Sequence, residues 1–137
     1  MSLFNIFNVA GSAMSAQNTR LNVTASNVAN ANSVAGKPED AYKARQPVFS
    51  AVLNEMSSHP ENVTVKMDGI VESGAEHAMR YSPNHPYANE DGYIYESNVN
   101  VIEEMTNLIS ASRSYQNNVE VLNTSKQLLM QTLKLGE

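Results

Sequence analysis

Two long stretches of the chain return apolar residues every three or four positions. The middle alternates them or clusters them between turn residues. In the C-terminal stretch, steps of four and three visit Val101, Met105, Leu108, Ser112, Tyr115, Val119, Leu122, Lys126, Leu129 and Leu133. Eight of those ten are apolar or aromatic, which predicts a helix with a coiled-coil seam. Asn100 is a suitable N-cap, Glu103 and Glu104 suit the positive end of the helix dipole, and Lys134 followed by Gly136 reads as a stop. A single helix over 100–135 would be about 54 Å long.

The N-terminal stretch repeats the same rhythm at Leu3, Phe7, Ala10, Met14, Gln17, Leu21, Thr24, Val28 and Ala31. Its seam is weaker, because Gln17 and Thr24 interrupt it and Asn and Ser lower helix propensity. A helix formed against a partner is expected there. Both stretches are free of Gly and Pro over long runs, twenty-four residues between Gly11 and Gly36 and forty-three between Gly92 and Gly136. All five prolines fall between them.

In the middle, Val63, Val65 and Met67 alternate with polar residues before Asp68-Gly69 and Ile70-Val71, which predicts a hairpin turning at Asp68-Gly69. Pro47-Val48-Phe49 fits an edge strand, since proline cannot donate to a central ladder. Residues 82–86 read as loop, and Glu90-Asp91-Gly92 as a turn before Tyr93-Ile94-Tyr95. The fold class expected is therefore mainly α. Long N- and C-terminal helices (1–36 and 98–137) pair as a coiled coil, with a small, loop-rich β middle (37–97).

Length turns this pattern into a statement about assembly. A compact globule of this size has a radius of gyration near 14 Å, hence a diameter of roughly 37 Å. The C-terminal helix outruns it, so its seam needs the N-terminal helix and further subunits as cover.

Composition narrows the chemistry. The chain has 137 residues with a net charge of −5, which argues against a nucleic-acid surface. It has no cysteine, so disulfides and thiolate chemistry are excluded. No stretch approaches eighteen apolar residues, so no membrane insertion is expected. The first nineteen residues hold no Lys or Arg and no continuous apolar run, so no cleaved signal peptide is expected either. Residues 1–36 carry one charge, Arg20, which suggests a surface that ends up covered. Large core-formers are scarce beside seventeen Asn, fifteen Ser and fourteen Ala.

Candidate catalytic groups do not assemble into a site. His59, His77 and His85 lack metal-ligand spacing and read as exposed loop residues. Glu103 and Glu104 are neighbours pointing about 100° apart, which fits dipole stabilisation better than acid–base work. No phosphate loop, GxSxG or HExxH occurs. No catalytic, cofactor or metal residue and no small-molecule substrate are expected.

Ser12-Ala13-Met14-Ser15-Ala16-Gln17-Asn18-Thr19-Arg20-Leu21-Asn22-Val23-Thr24-Ala25-Ser26-Asn27-Val28-Ala29-Asn30-Ala31 resembles the N-terminal signature of flagellar basal-body rod and hook proteins. Arg80 to Asn89 with Asp91-Gly92-Tyr93, and Asn98-Val99-Asn100-Val101-Ile102-Glu103-Glu104-Met105 continuing to Asn123, resemble blocks of proximal rod members. Ser97 stands where many members have Pro, and Ala35–Tyr42 is longer and more charged than the usual Thr-x-Gly-Tyr. The resemblance implies a structural rod subunit in the periplasm that transmits torque and leaves the cell through the flagellar type III export apparatus. Implied partners are further copies of itself and the rod proteins FlgB, FlgF and FliE. Members of the family have terminal segments that are mobile in the monomer and pair as a coiled coil on assembly. The assembly interface expected here is the two seams with two asparagines: Leu3, Phe7, Met14, Leu21, Asn27, Val28, Asn30, Val101, Met105, Leu108, Tyr115, Val119, Leu122, Leu129 and Leu133. A type III-secreted helical effector or adaptor forming a small closed oligomer is the alternative, and an enzyme the third class.

Overall fold

A computed structural model describes residues 3–53 and 63–134. The chain begins with helix α1 (Leu3–Ala29) and ends with helix α2 (Val101–Lys134). Between them come β1 (Val34–Ala35), β2 (Arg45–Leu53), β3 (Val63–Glu72), β4 (Met79–Tyr81) and β5 (Tyr93–Glu96). Two long helices with a small β-rich middle are thus the observed architecture.

Each helix end has a local cause. Asn100 Oδ1 accepts the backbone N–H of Ile102 at 3.2 Å and of Glu103 at 3.4 Å, so the expected N-cap starts α2. At the end of α1 no basic residue meets the dipole. Instead the Asn30 side-chain amide donates to the Ser26 carbonyl at 2.8 Å and Ser33 Oγ to the Asn30 carbonyl at 2.7 Å.

The helices run antiparallel along each other. Thr24 shares a cavity wall with Glu103 and Glu104, while Arg20, one turn earlier, donates to Asn107, one turn later. Four residues further along α2 and four back along α1, Ala111 comes level with Ala16, and both are buried. Extended by the same steps, Leu3 comes level with Thr124. Residues beyond Ser125 therefore overhang the start of α1 by roughly 13 Å at about 1.5 Å per residue.

β2 and β3 form a two-stranded antiparallel sheet against α1, with an irregularity between Val48 and Phe49. This corrects the expectation of a turn at Asp68-Gly69. β3 runs straight through it, with Gly69 opposite Val48 and Ile70 opposite Pro47. The Asp-Gly pair forms the irregularity rather than a reversal, Asp68 being the extra residue between Met67, opposite Phe49, and Gly69. The link between the strands, 54–62, lies outside the described residues. β2 is an edge strand, as Pro47 requires.

β1, β5 and β4 form a second antiparallel sheet in that order, with Ile94 fully buried at its centre. Tyr81 and Tyr93 stand opposite each other in an edge-to-face pair 5.2 Å between centroids. The turn into β5 is held by Asn89 Oδ1, which accepts from the N–H of Asp91 and of Tyr93. It closes at Gly92, whose φ is +81°, and an added Cβ would sit 2.9 Å from the Tyr81 ring and 3.2 Å from Pro83 Cβ. Gly92→Ala should therefore cost about 1–3 kcal/mol. Thermal unfolding checks this, and an unchanged midpoint would contradict it.

Among the described residues, apart from Ile94 and Val23, the buried apolar side chains are alanines: Ala10, Ala16, Ala41, Ala44 and Ala111. The core is thin, as the scarcity of large apolar residues predicts. Among the described residues no helix is long and apolar enough to cross a membrane.

Candidate assembly interface

The junction between the helices and the β middle is polar and built around one buried side chain. Asn27, in the last turns of α1, is fully buried. Its Nδ2 donates to the Arg45 carbonyl at 2.8 Å, and its Oδ1 accepts the Arg45 N–H at 2.9 Å and the Tyr42 hydroxyl at 3.1 Å. The side-chain amide thus pairs with both backbone groups of one residue, as a neighbouring strand would, and fixes the start of β2 on α1. The Tyr42 hydroxyl also lies 3.2 Å from Ser26 Oγ, and the Arg45 guanidinium sits 5.6 Å over the Tyr42 ring.

Asn98 does the same for the approach to α2. Its Oδ1 accepts the Ala44 N–H at 2.6 Å, and its Nδ2 donates to the Ala75 carbonyl at 2.8 Å. Ser97 ties that segment back to the end of α1, its Oγ donating to the Ala31 carbonyl at 2.7 Å and its N–H to the Ser33 carbonyl at 3.2 Å. A proline at 97 would lose both bonds. These bonds tie α1, the start of β2 and the approach to α2 together where large apolar side chains are few.

The structure distributes the residues expected at the interface over different surroundings. Asn27 is buried, whereas Phe7, Met14, Leu21, Val28 and Asn30 on and just after α1 are half-buried. On α2, Leu108, Val119, Leu122 and Leu129 are half-buried, while Val101, Met105, Tyr115 and Leu133 are exposed. The side chain of Leu3 lies outside the described residues. Alternate positions on the inner face of α2 are instead filled by Glu104, Ala111 and Ser125, each one residue before an expected seam position. Small side chains let the helices approach closely, so the large apolar ones flank the line of contact.

Between α1, β2 and the start of α2 lies a cavity of about 420 Å³. Ala13, Ala16, Pro47, Phe49 and Val65 supply its apolar wall, and Gln17, Arg20, Arg45, Glu103, Glu104 and Asn107 its polar one. Arg20 Nη2 donates to Asn107 Oδ1 at 3.0 Å. Arg45 Nε lies 3.7 Å from Glu72, an exposed pair of small energetic weight.

Histidine placement departs from the expected exposure at both described histidines. His77 is half-buried and its Nδ1 lies 2.9 Å from the Glu96 carbonyl, because it closes against the end of β5. His85 is half-buried and accepts the Tyr87 N–H, and His59 lies outside the described residues. Among the described residues no three metal-ligating side chains come together.

Sequence reasoning missed Asn98, Tyr42, Ser97, Glu104 and Ala111. The first three carry no periodic signal, because they act through single polar bonds between distant segments. Ala111 and Glu104 were legible only if small residues were weighted like large ones when choosing the face of α2.

Comparison with known proteins accounts for both ends and the middle together. Residues 7–36 match the family described as Flagella basal body rod protein, and residues 90–135 the Flagellar basal body rod FlgEFG protein C-terminal family. Over their full lengths, the chain is 48% identical to the flagellar basal-body rod protein FlgC of Salmonella typhimurium and 49% to that of Yersinia enterocolitica. FlgC of Buchnera aphidicola subsp. Baizongia pistaciae is 40% identical, again with all of both chains covered. With family matches at both ends and identity of this order over the full length, the chain belongs to the FlgC family of flagellar basal-body rod proteins.

Proposed function

We propose that this chain is a structural subunit of the proximal rod that polymerises through its terminal helices and carries torque across the periplasm. The observation that supports it most is the exposure of α2. One face lies on α1, yet Ile102 is 79% exposed, Leu133 62% and Met105 54% on a helix about 51 Å long. A torque-bearing shaft needs long lateral contacts of this kind rather than a pocket, and the polar junction transmits strain between the helices and the β middle. The exposed and half-buried seam residues are the interface, and pairing into a coiled coil is completed by neighbouring subunits. Those neighbours are further copies and the rod proteins FlgB, FlgF and FliE. The almost uncharged α1 is the segment carried through the type III export apparatus. The acidic middle gives specificity toward neighbours, since loops on a rigid scaffold are where recognition concentrates.

Two substitutions separate this from a chain that does not assemble. Val119 is half-buried on the seam and Asn117 exposed two residues before it. Val119→Asp removes roughly 1–2 kcal/mol of apolar burial and adds the cost of desolvating a carboxylate. Basal-body yield and swimming halos should fall sharply for Val119→Asp, with the subunit still exported, and much less for Asn117→Asp. Normal motility in both would refute assembly through this seam.

A further inference from the structure

The chain has neither cysteine nor tryptophan but seven methionines, so a two-electron oxidant meets methionine sulfur first. Among the described residues, Met14 is half-buried, while Met67, Met79, Met105 and Met130 are exposed. Two of the exposed four stand on α2, where Met105 is 54% and Met130 52% exposed. They are twenty-five residues apart, close to seven turns at about 3.6 residues per turn, so both lie on one side of the helix. Val119 falls between them on that side, about four turns after Met105 and three before Met130.

We propose that Met105 and Met130 are an oxidation site that gates assembly: a peroxide converts them to sulfoxides in the free chain, and a chain so modified does not join its neighbours. This rests on the rod-subunit reading, in which that side of α2 meets another subunit, and adds its regulation. Each sulfur donates a lone pair to one peroxide oxygen, and the O–O bond breaks. The departing hydroxide takes the proton of the transferred oxygen and leaves as water. Sulfur is thereby oxidised by two electrons and the peroxide reduced by two. The product replaces a polarizable, apolar thioether with a strong S=O acceptor, which an apolar contact leaves without a donor. On the free chain the same group is hydrated, so the modification acts only where a neighbour would bury it. Methionine sulfoxide reductases reverse the change.

Peptide mass spectrometry reads the site directly. Purified chain and purified basal bodies receive the same dose of hydrogen peroxide, and Met105 and Met130 should react roughly tenfold more slowly in the basal bodies. In cells pulsed with peroxide while rods form, sulfoxide at both positions should be roughly tenfold rarer in basal bodies than in the unassembled pool. The pulse should cut basal-body yield roughly fivefold for the unaltered chain. Met105→Leu with Met130→Leu, at exposed positions where leucine keeps the helix, should hold the yield within about twofold of untreated cells. Without peroxide, Met105→Gln with Met130→Gln should lower the yield roughly fivefold while circular dichroism of the free chain stays unchanged. Equal oxidation rates in free chain and basal bodies would overturn the proposal, as would a peroxide sensitivity that the two leucines do not remove. Absence of the chain from basal bodies of untreated cells would instead overturn the rod reading itself.

Discussion

Asn27→Ala should lower the thermal unfolding midpoint by roughly 10–20 °C, more than any other polar substitution in the chain. The residue is fully buried, and its amide satisfies the Arg45 N–H, the Arg45 carbonyl and the Tyr42 hydroxyl at once. Alanine takes this partner from both Arg45 backbone groups and leaves the Tyr42 hydroxyl only Ser26 Oγ, which at about 1–3 kcal/mol per lost bond brings the sum to roughly 3–5 kcal/mol. For a domain of this size that corresponds to the midpoint shift stated, at about 4 °C per kcal/mol. Asn27→Asp should be no better, because a carboxylate cannot donate to the Arg45 carbonyl and would be buried beside it. Asn30→Ala supplies the internal scale. It loses one bond, to the Ser26 carbonyl, and should cost only about 1 kcal/mol. Equal midpoints for Asn27→Ala and Asn30→Ala would mean that the buried amide does not anchor the β middle to α1.

Ala111→Leu should disrupt assembly more than any substitution on the exposed side of α2. Ala111 is fully buried where α2 comes level with Ala16, so no space exists for three more carbons without moving a helix. Overpacking of this kind costs about 1–3 kcal/mol in the isolated chain. The larger consequence is geometric, because a displaced α2 shifts every neighbour-facing residue along its length. Basal-body yield should fall at least tenfold, while Ala111→Ser, which keeps the volume nearly constant, should remain close to normal. Gln116→Leu, on an exposed position, adds the same kind of side chain without overpacking and should be mild in both assays. Normal basal bodies in Ala111→Leu would show that helix spacing does not set the interface.

Much of the fold was legible because it is written in periodicity. The four-three rhythm located α1 and α2, and Asn100 marked the start of α2 by a capping geometry that acts over three residues. Gly92 and Pro47 announced a turn and an edge strand by backbone restrictions that hold in any context. What depended on long-range pairing was not legible. Asp68-Gly69 has the local chemistry of a turn, and only the partner strand across from it decides that β3 continues. The face of α2 turned to α1 was misjudged for a related reason. Close helix contact selects small residues, so Ala111 and Ser125 lie inward while Met105 stays exposed. Asn27 was picked out within a resemblance, but its partners Tyr42 and Arg45 lie fifteen and eighteen residues away and leave no mark in local pattern. Glu104 looked like an ordinary first-turn acid until its burial beside Gln17 was visible.

The central claim is that this chain is built into the rod. Quantitative mass spectrometry of detergent-extracted basal bodies tests it most directly, in cells with the chain and in cells from which its gene has been removed. The account predicts the chain at a fixed ratio to the other rod proteins, and loss of all rod structure distal to it when the gene is absent. Complete rods assembled without the chain, with none of it in the purified basal bodies of the parent cells, would contradict the account.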